Sequence, residues 1–564
     1  MRRARLLVVG WDGATWDLAR PWMEAGELPA LREIVRSGIQ APLRSTVPSA
    51  TFPAWCTFLT GMNPGGHGVF DFTERVPGRY AVRLANARSR RAPTLFRIAS
   101  DAGLRVASVA VPVTWPPEPV NGVVVSGFDA PGVGSVADRS CVHPPELLDE
   151  IRAEVGEYVI ASDAASLVRA GRPDEALERA LDTLDRKART ALHFLRTGGW
   201  DVVMVLFGEG DLVGHHFWRF HDPRSPFHEE GGERLRGALL ETYRRLDRWT
   251  GELRREAGDE AAVLVLSDHG FGGAGRRVAR LNAWLARQGH LAWRSGVEGG
   301  PRGRAAAAVK ALALRLLPRR LRQIALRRAA SLAGALESRV RFASIDFARS
   351  TAFSEETPHF PAVWLNVRGR DPQGTVGPGA AYEELRAAIA TGLRVWRDPE
   401  TGAPVVSGVW SREELYRGPF TERAPDLVLE WALDPDGYSL QGGRSLGTPG
   451  EEPLGWAGPR DPGWLLNKSG SHRPLGILAA EGPGVRCGAT LRNPGLEDLA
   501  PTILASLGLD PAAMDGRVLE EGFELPGRRA GETSSAAAGD DEPAYTPEEE
   551  AAVAERLRGL GYLD

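Results

Sequence analysis

The chain has 564 residues, 43% of them hydrophobic, with 69 Lys and Arg against 73 Asp and Glu for a formal charge of −4. That length exceeds one simple domain and allows a large core, while the balanced charge leaves no electrostatic footprint for nucleic acid. Cys56, Cys141 and Cys487 are the three cysteines, far apart and without a CxxC pair, which argues against a disulfide framework and for a reducing compartment. The basic MRRAR start leads into an apolar run too short for an export signal, and no stretch reaches the length of a membrane span. A soluble, cytoplasmic protein is expected.

In chain order, Leu6 to Gly10 (LLVVG) reads as a buried strand that delivers Asp12 beside a glycine, where an acid usually caps the next helix. A helix is expected near Leu28–Ser37. The segment VPSATFPAWCTFLTGMNPGGHGVFDF, residues 47–72, sets Thr51 before Phe52 and Pro53, and proline favours the first turn of a helix. Thr51 thus falls at a helix N-terminus, where backbone N–H groups and the dipole favour anions such as phosphate. It either caps that helix or, beside a metal, serves as a nucleophile. The strands LRVASVAVP and GVVVSG follow, then a helix over Pro173–Thr197 and the strand DVVMVLFG. After that strand comes EGDLVGHHFW, with Asp211 and His215 four apart on one helix face. A helix over Arg234–Ala257 precedes AAVLVLS and then Asp268-His269; further on, GSH places His472 before LGILAA. These strands are apolar throughout instead of alternating, as in a parallel sheet buried on both faces, and their alternation with helices predicts an α/β fold.

Two regions break the pattern. Residues 276–344 read as an inserted helical cap, Ala/Leu/Arg-rich and basic, as in RLLPRRLRQIALRR; residues 523–545 read as a disordered linker before a short helix over 546–564. The core then comprises 1–275 and 345–522. The insert packs its leucines on the core with arginines in water, grips an anionic substrate, or lies on anionic membrane.

Open α/β sheets bind ligands beyond the carboxyl ends of their strands. There the sequence concentrates Asp12, Asp211, Asp268, His215, His269 and His472. Carboxylates converging at one rim repel each other unless cations intervene, and mixed Asp and His ligands suit zinc or another first-row divalent ion. His67, His216, Trp218 and His221 either line the pocket or pack in aromatic surroundings.

This set, Asp12, Thr51-Phe-Pro, Asp211-x-x-Gly-His215, Ser-Asp268-His269-Gly and Gly-Ser-His472, resembles the alkaline phosphatase superfamily, in particular its type I phosphodiesterase/nucleotide pyrophosphatase branch and the bacterial phosphohydrolase or phosphomutase proteins beside it. The resemblance runs over about residues 5–520, less the insert, and also rests on PAWCTFLTGMNPGGHGVFDF, DPETGAPVVSGVWSREELYRGPFTERAPDLVLEW and LEDLAPTILASLGLDPAAMDGRVL. It implies an alkaline phosphatase-like fold, a mostly parallel sheet with helices on both faces, and two divalent ions, zinc or alternatively manganese. One would be held by Asp12, Asp268, His269 and the Thr51 oxygen, the other by Asp211, His215 and His472. The implied reaction is cleavage of a phosphodiester or phosphomonoester through a phosphothreonine at Thr51. Phosphomutase or phosphotransferase chemistry at the same site, and an inactive scaffold, are the alternatives.

The implied partner is a phosphorylated small molecule, nucleotide or lipid head group, with Phe52, Glu209, Lys468 and Arg473 as candidate contacts. One position departs from the branch: the asparagine that follows Thr-Phe-Pro and donates to a phosphate oxygen is Ala54 here. Such a donor is worth about two to three powers of ten in rate, so a backbone N–H or another side chain has to replace it. The sulfatase relatives are set aside because Cys56 lacks the Pro and Arg that their cysteine modification needs; Cys56 reads as a packing residue.

Overall fold

The computed structural model describes residues 4–132, 136–294, 341–457, 468–511, 513–526, 544–560 and 562–563. Its centre is an eight-stranded sheet in the order Ile39–Arg44, Leu475–Glu481, Ala262–Leu266, Leu6–Trp11, Val202–Phe207, Val106–Val111, Gly122–Ser126, Val142–His143. The five strands from Ala262–Leu266 to Gly122–Ser126 run parallel, and Leu475–Glu481 returns antiparallel beside them. The fold is α/β with a largely parallel sheet and helices on both faces.

The continuous apolar runs have the expected cause. Leu7, Val9 and Trp11 point into one core, with Val203, Val205 and Phe207, against the helices Pro173–Thr197 and Ala238–Ala257. Leu6 and Val8 point into the other, with Met204 and Leu206, against Thr51–Thr60 and Leu499–Ser506. Alternate residues of a strand face opposite sides, so a strand covered on both must be apolar at every position. Helix Pro29–Ser37 also forms where the sequence places it, and Pro173–Thr197 has those same bounds.

A third apolar cluster gathers around the four-stranded sheet Ala352–Phe353, Ala362–Leu365, Leu427–Trp431, Val406–Ser411, covered by helix Ala380–Arg394. Residues 276–279 end the ten-residue strand Gly270–Ala279, and helix Leu281–Arg287 buries Leu281, Trp284 and Leu285 in this cluster. The first part of the stretch read as an insert is thus strand and core helix, because its apolar positions meet a sheet edge. Residues 295–340, which carry the basic run, lie outside the described residues, and so do 527–543 of the expected linker. Among the described residues no helix is long and apolar enough to cross a membrane.

One junction ties sheet and site together. Strand Gly470–Arg473 pairs with Gly270–Gly273, setting His472 opposite Phe271. A Cβ on Gly470 would collide with the Gly214 carbonyl and the Phe271 ring, so only glycine lets this strand approach helix Glu209–His221. Gly470→Ala should destabilise the protein by about 1–3 kcal/mol, the usual cost of overpacking. Gly377→Ala, where a Cβ meets nothing within 4 Å, should change little. Denaturant unfolding of both variants checks the contrast.

Candidate metal centre

Three adjacent parallel strands each release a carboxylate at their carboxyl ends: Asp12 after Leu6–Trp11, Asp211 after Val202–Phe207 and Asp268 after Ala262–Leu266. Asp12 caps no helix; that role falls to Thr15, whose side chain accepts from the Asp17 amide. Asp211 and His215 share the first turns of helix Glu209–His221. Asp268 and His269 occupy the turn between Ala262–Leu266 and Gly270–Ala279, and His472 sits on the strand paired with the latter.

The seven residues expected to form the site converge. His215 Nε2 lies 3.3 Å from Asp211 Oδ1, His472 Nε2 lies 3.1 Å from the same oxygen, and the two imidazole nitrogens are 3.0 Å apart. His269 Nε2 lies 3.3 Å from Asp268 Oδ2, 3.7 Å from Asp12 Oδ1 and 3.4 Å from the Thr51 hydroxyl. The rings of His269 and His472 stack at 3.7 Å, so the two clusters adjoin.

Each ligand candidate has one atom tied to the protein and the other turned inward. Asp12 Oδ2 accepts from the Trp55 indole at 3.0 Å, Asp211 Oδ2 from the Tyr562 hydroxyl at 2.6 Å, and Asp268 Oδ1 from the Gly13 amide at 3.4 Å. The remaining oxygens, Asp12 Oδ1, Asp211 Oδ1 and Asp268 Oδ2, are buried and have no hydrogen-bond partner. The Nδ1 atoms of His215, His269 and His472 face the carbonyls of Gly470, Gly270 and Ser49 at 2.8, 3.1 and 2.7 Å. That contact assigns the proton to Nδ1 and turns the Nε2 lone pair into the site.

The electrostatics agree with this arrangement. Burial, then the charges of Asp268 and Asp211, push Asp12 well above the carboxylate range, and burial with the Asp211 charge does the same to Asp268. Burial works against charge on Asp211 too, but His215 and His472 outweigh it and hold that carboxyl well below its usual value. Burial drives His215 down to about 4 and His269 well below its ordinary value, leaving both neutral. Asp12 and Asp268, which resist ionisation, an ionised Asp211, and imidazole lone pairs turned inward form a donor set that a divalent cation satisfies. The residues present fit two such ions.

Thr51 opens helix Thr51–Thr60 at its first turn, while Ala50 is the cap residue and offers no side-chain cap. The Thr51 hydroxyl is therefore not spent on capping. Ala54, at the position of the missing asparagine, points into the hydrophobic core.

The candidate substrate contacts divide. Lys468 is buried, with Nζ 3.0 Å from His359 Nε2, and with His359, His472 and Arg473 it lines a cavity of about 280 Å³ that Trp431 and Leu440 also line. Arg473 lines the same cavity, but its guanidinium is bound to Ser439 and to the Gly273 and Gly437 carbonyls. Glu209 instead forms a buried ion pair with Lys187 at 2.7 Å, and the Phe52 ring packs against Phe72 and Phe128. These last two side chains take part in charge pairing and packing, with partners that the local sequence does not show. His67 is a core residue, hydrogen-bonded to Thr57 and driven down to about 3 by burial.

Two residues at the site carry no local sequence signal. His359 stacks on His472 at 4.5 Å and joins a His215–His359–His472 cluster, although its Nε2 faces the Lys468 ammonium. Tyr562 reaches Asp211 from the far end of the chain.

A buried, mostly parallel sheet thus carries a rim of aspartates, histidines and a helix-terminal threonine. A family model for type I phosphodiesterase/nucleotide pyrophosphatase matches residues 6–459. The chain belongs to that family, whose members are metal-dependent hydrolases of phosphoric esters. Among solved structures, it is similar to phosphonoacetate hydrolase from Sinorhizobium meliloti in complex with phosphonoformate, at 16% identity and a TM-score of 0.49 over 88% of this chain and 94% of that one. It is also similar to murine ectonucleotide pyrophosphatase/phosphodiesterase 5, inactive and in complex with AMP, at 13% identity and 0.47 over 89% and 94%. No curated protein matches the sequence.

Purified protein equilibrated with Zn²⁺ or Mn²⁺ should hold about two ions per chain, as two-metal sites do. Asp268→Ala and His215→Ala should each remove about one equivalent, from different clusters. Elemental analysis after dialysis reads both numbers; a single shared equivalent would contradict the division of ligands.

Proposed function

We propose that this protein hydrolyses a phosphodiester or phosphomonoester through a covalent phosphothreonine at Thr51. The observation that carries the reading is the inward set of unpartnered oxygens and imidazole lone pairs, with an uncapped Thr51 hydroxyl 3.4 Å from His269. Two divalent ions, zinc by the mixed Asp and His donors, would be held by Asp12, Asp268, His269 and Thr51 and by Asp211, His215 and His472; when bound they supply charge neutralisation and lower the pKa of nearby hydroxyl groups.

The chain's own residues then divide the work. The Thr51 oxygen attacks phosphorus in line, its O–H bond breaking as the O–P bond forms, and the ester oxygen leaves as the alcohol after taking up a proton. Water next attacks the phosphothreonine, the Oγ–P bond breaks, and Thr51 regains its proton as the product departs, phosphate from a monoester or a phosphomonoester from a diester. Backbone N–H groups at the start of helix Thr51–Thr60 face anionic oxygens with the favourable end of the dipole. Lys468 supplies a buried positive charge to the lining of the adjoining cavity. A cavity of about 280 Å³ suits a phosphorylated small molecule with a modest organic group. Nucleotides and lipid head groups remain within the partner class, and a cytoplasmic setting goes with the proposal.

Thr51→Ala should lower turnover of chromogenic phosphoesters by at least about three powers of ten while leaving metal content unchanged. In the parent enzyme an acid quench during turnover should trap phosphate on Thr51, detectable by peptide mass spectrometry. Undiminished activity of the variant would exclude Thr51 as nucleophile. Comparing monoesters with diesters before and after chelation ranks the substrate types, and product appearing on an added alcohol would redirect the assignment to phosphoryl transfer.

A further inference from the structure

The end of the chain is built into the site. Helix Pro547–Leu560 buries Val553, Leu557 and Leu560 in the same core as Leu7, Val9 and Trp11. Tyr545 stacks on Trp115 at 4.5 Å and donates to the Asp129 carbonyl at 2.9 Å. Arg556, buried, donates to the Phe128 and Ala130 carbonyls. At the end of the helix the Tyr562 amide bonds back to the Leu557 carbonyl at 2.8 Å, which turns the chain toward the sheet. The Tyr562 ring then stacks on Phe72 at 4.4 Å and on Phe128 at 5.4 Å, with both planes within 21° of parallel. Its hydroxyl ends 2.6 Å from Asp211 Oδ2.

The choice of oxygen matters. Asp211 Oδ1 faces His215 and His472 and has no hydrogen-bond partner, whereas Oδ2 is taken by Tyr562. A carboxylate with one oxygen fixed presents the other in a single direction, and a second oxygen engaged elsewhere is not available for bidentate binding. Trp55 does the same for Asp12, but from the helix that also carries Thr51. Of these three carboxylates, Asp211 takes its fixing contact from a residue more than 300 positions away, whereas those of Asp12 and Asp268 come from nearer in the chain.

We infer that the carboxy-terminal arm completes the Asp211–His215–His472 metal site, with Tyr562 as a positioning residue that aims Asp211 Oδ1 at the cation. The inference rests on the metal-site reading above. Outer-shell partners of metal ligands are worth about 10–100-fold in affinity. Binding and arm docking must then favour each other reciprocally: the docked arm tightens metal binding, and metal tightens the docked arm.

The test uses the full chain with Zn²⁺ or Mn²⁺ alone as probe. In calorimetric titration, Tyr562→Phe, which keeps the stacking ring, should weaken one of the two equivalents about 10–100-fold and leave the other unchanged. The metal-free variant should melt at the parent's temperature. Independently, hydrogen exchange followed by mass spectrometry on the parent should show that metal slows exchange across residues 545–563, and Tyr562→Phe should erase that protection. If Tyr562→Phe does not fold, Arg556→Met, which loosens the arm away from Asp211, should weaken the same equivalent by a smaller factor. Unchanged affinity for both equivalents in Tyr562→Phe overturns the inference, and so does metal that speeds exchange in the arm, which would make the arm an occluding segment. A parent protein that binds no metal at all instead removes the metal-site reading beneath it.

Discussion

The structure is organised around a charge problem. Asp12 and Asp268 present oxygens within 4.8 Å of one another and of His269, and both residues are fully buried. Two unit charges at that separation repel by about 3–4 kcal/mol even at the effective dielectric typical of protein sites, and burial adds its own cost. Burial and this repulsion favour the protonated acids unless a cation compensates the charge. The tied outer atoms indicate that the compensation is built in. Trp55, Gly13 and Tyr562 satisfy the outer oxygens, and three backbone carbonyls fix the imidazole tautomers. What remains inside is a set of acceptors with no donor.

The sheet makes this geometry cheap to hold. Parallel neighbours end at the same edge, so three strands in the order Ala262–Leu266, Leu6–Trp11, Val202–Phe207 bring three carboxylates together without any long loop. His472 needs a different device. Its strand returns antiparallel along Gly270–Gly273 before continuing beside Ala262–Leu266, and the glycines at 214 and 470 let helix and strand touch backbone to backbone. The rigid part of the molecule therefore supplies five of the six ionisable ligand candidates through strand ends and one helix turn, and the sixth through a paired strand.

Much of this was legible in the sequence because its causes are local. Strands buried on both faces must be apolar throughout, so LLVVG, DVVMVLF and AAVLVL announce themselves, and the acid after each is visible at once. Thr51 was legible from Pro53. What was not legible depends on pairing across the chain. Glu209 looked like a substrate contact because Lys187, its partner one helix earlier, has no mark in the sequence that distinguishes it from a solvated lysine. Residues 276–287 looked like the start of a basic insert because composition averages over a window, while the burial of Leu281 and Trp284 depends on strands far ahead in the chain. His359 is a single histidine between prolines, and Tyr562 follows a charged helix that reads as a solvent-exposed terminus.

Ala54 packs in one core and Tyr562 in the other. The loss of an asparagine removes a polar side chain from the first turn of helix Thr51–Thr60, and the structure fills that position with hydrocarbon buried in the core. Polar groups near Thr51 therefore come from elsewhere: Lys468 beside the histidines, and a tyrosine brought in by a helix that belongs to the end of the chain. Both lie where backbone order gives no hint of proximity. The candidate ligands sit at strand ends, on one helix turn and on a paired strand. Lys468 and Tyr562 lie outside the strands and the helix turn that carry those residues, on segments brought in from elsewhere in the chain.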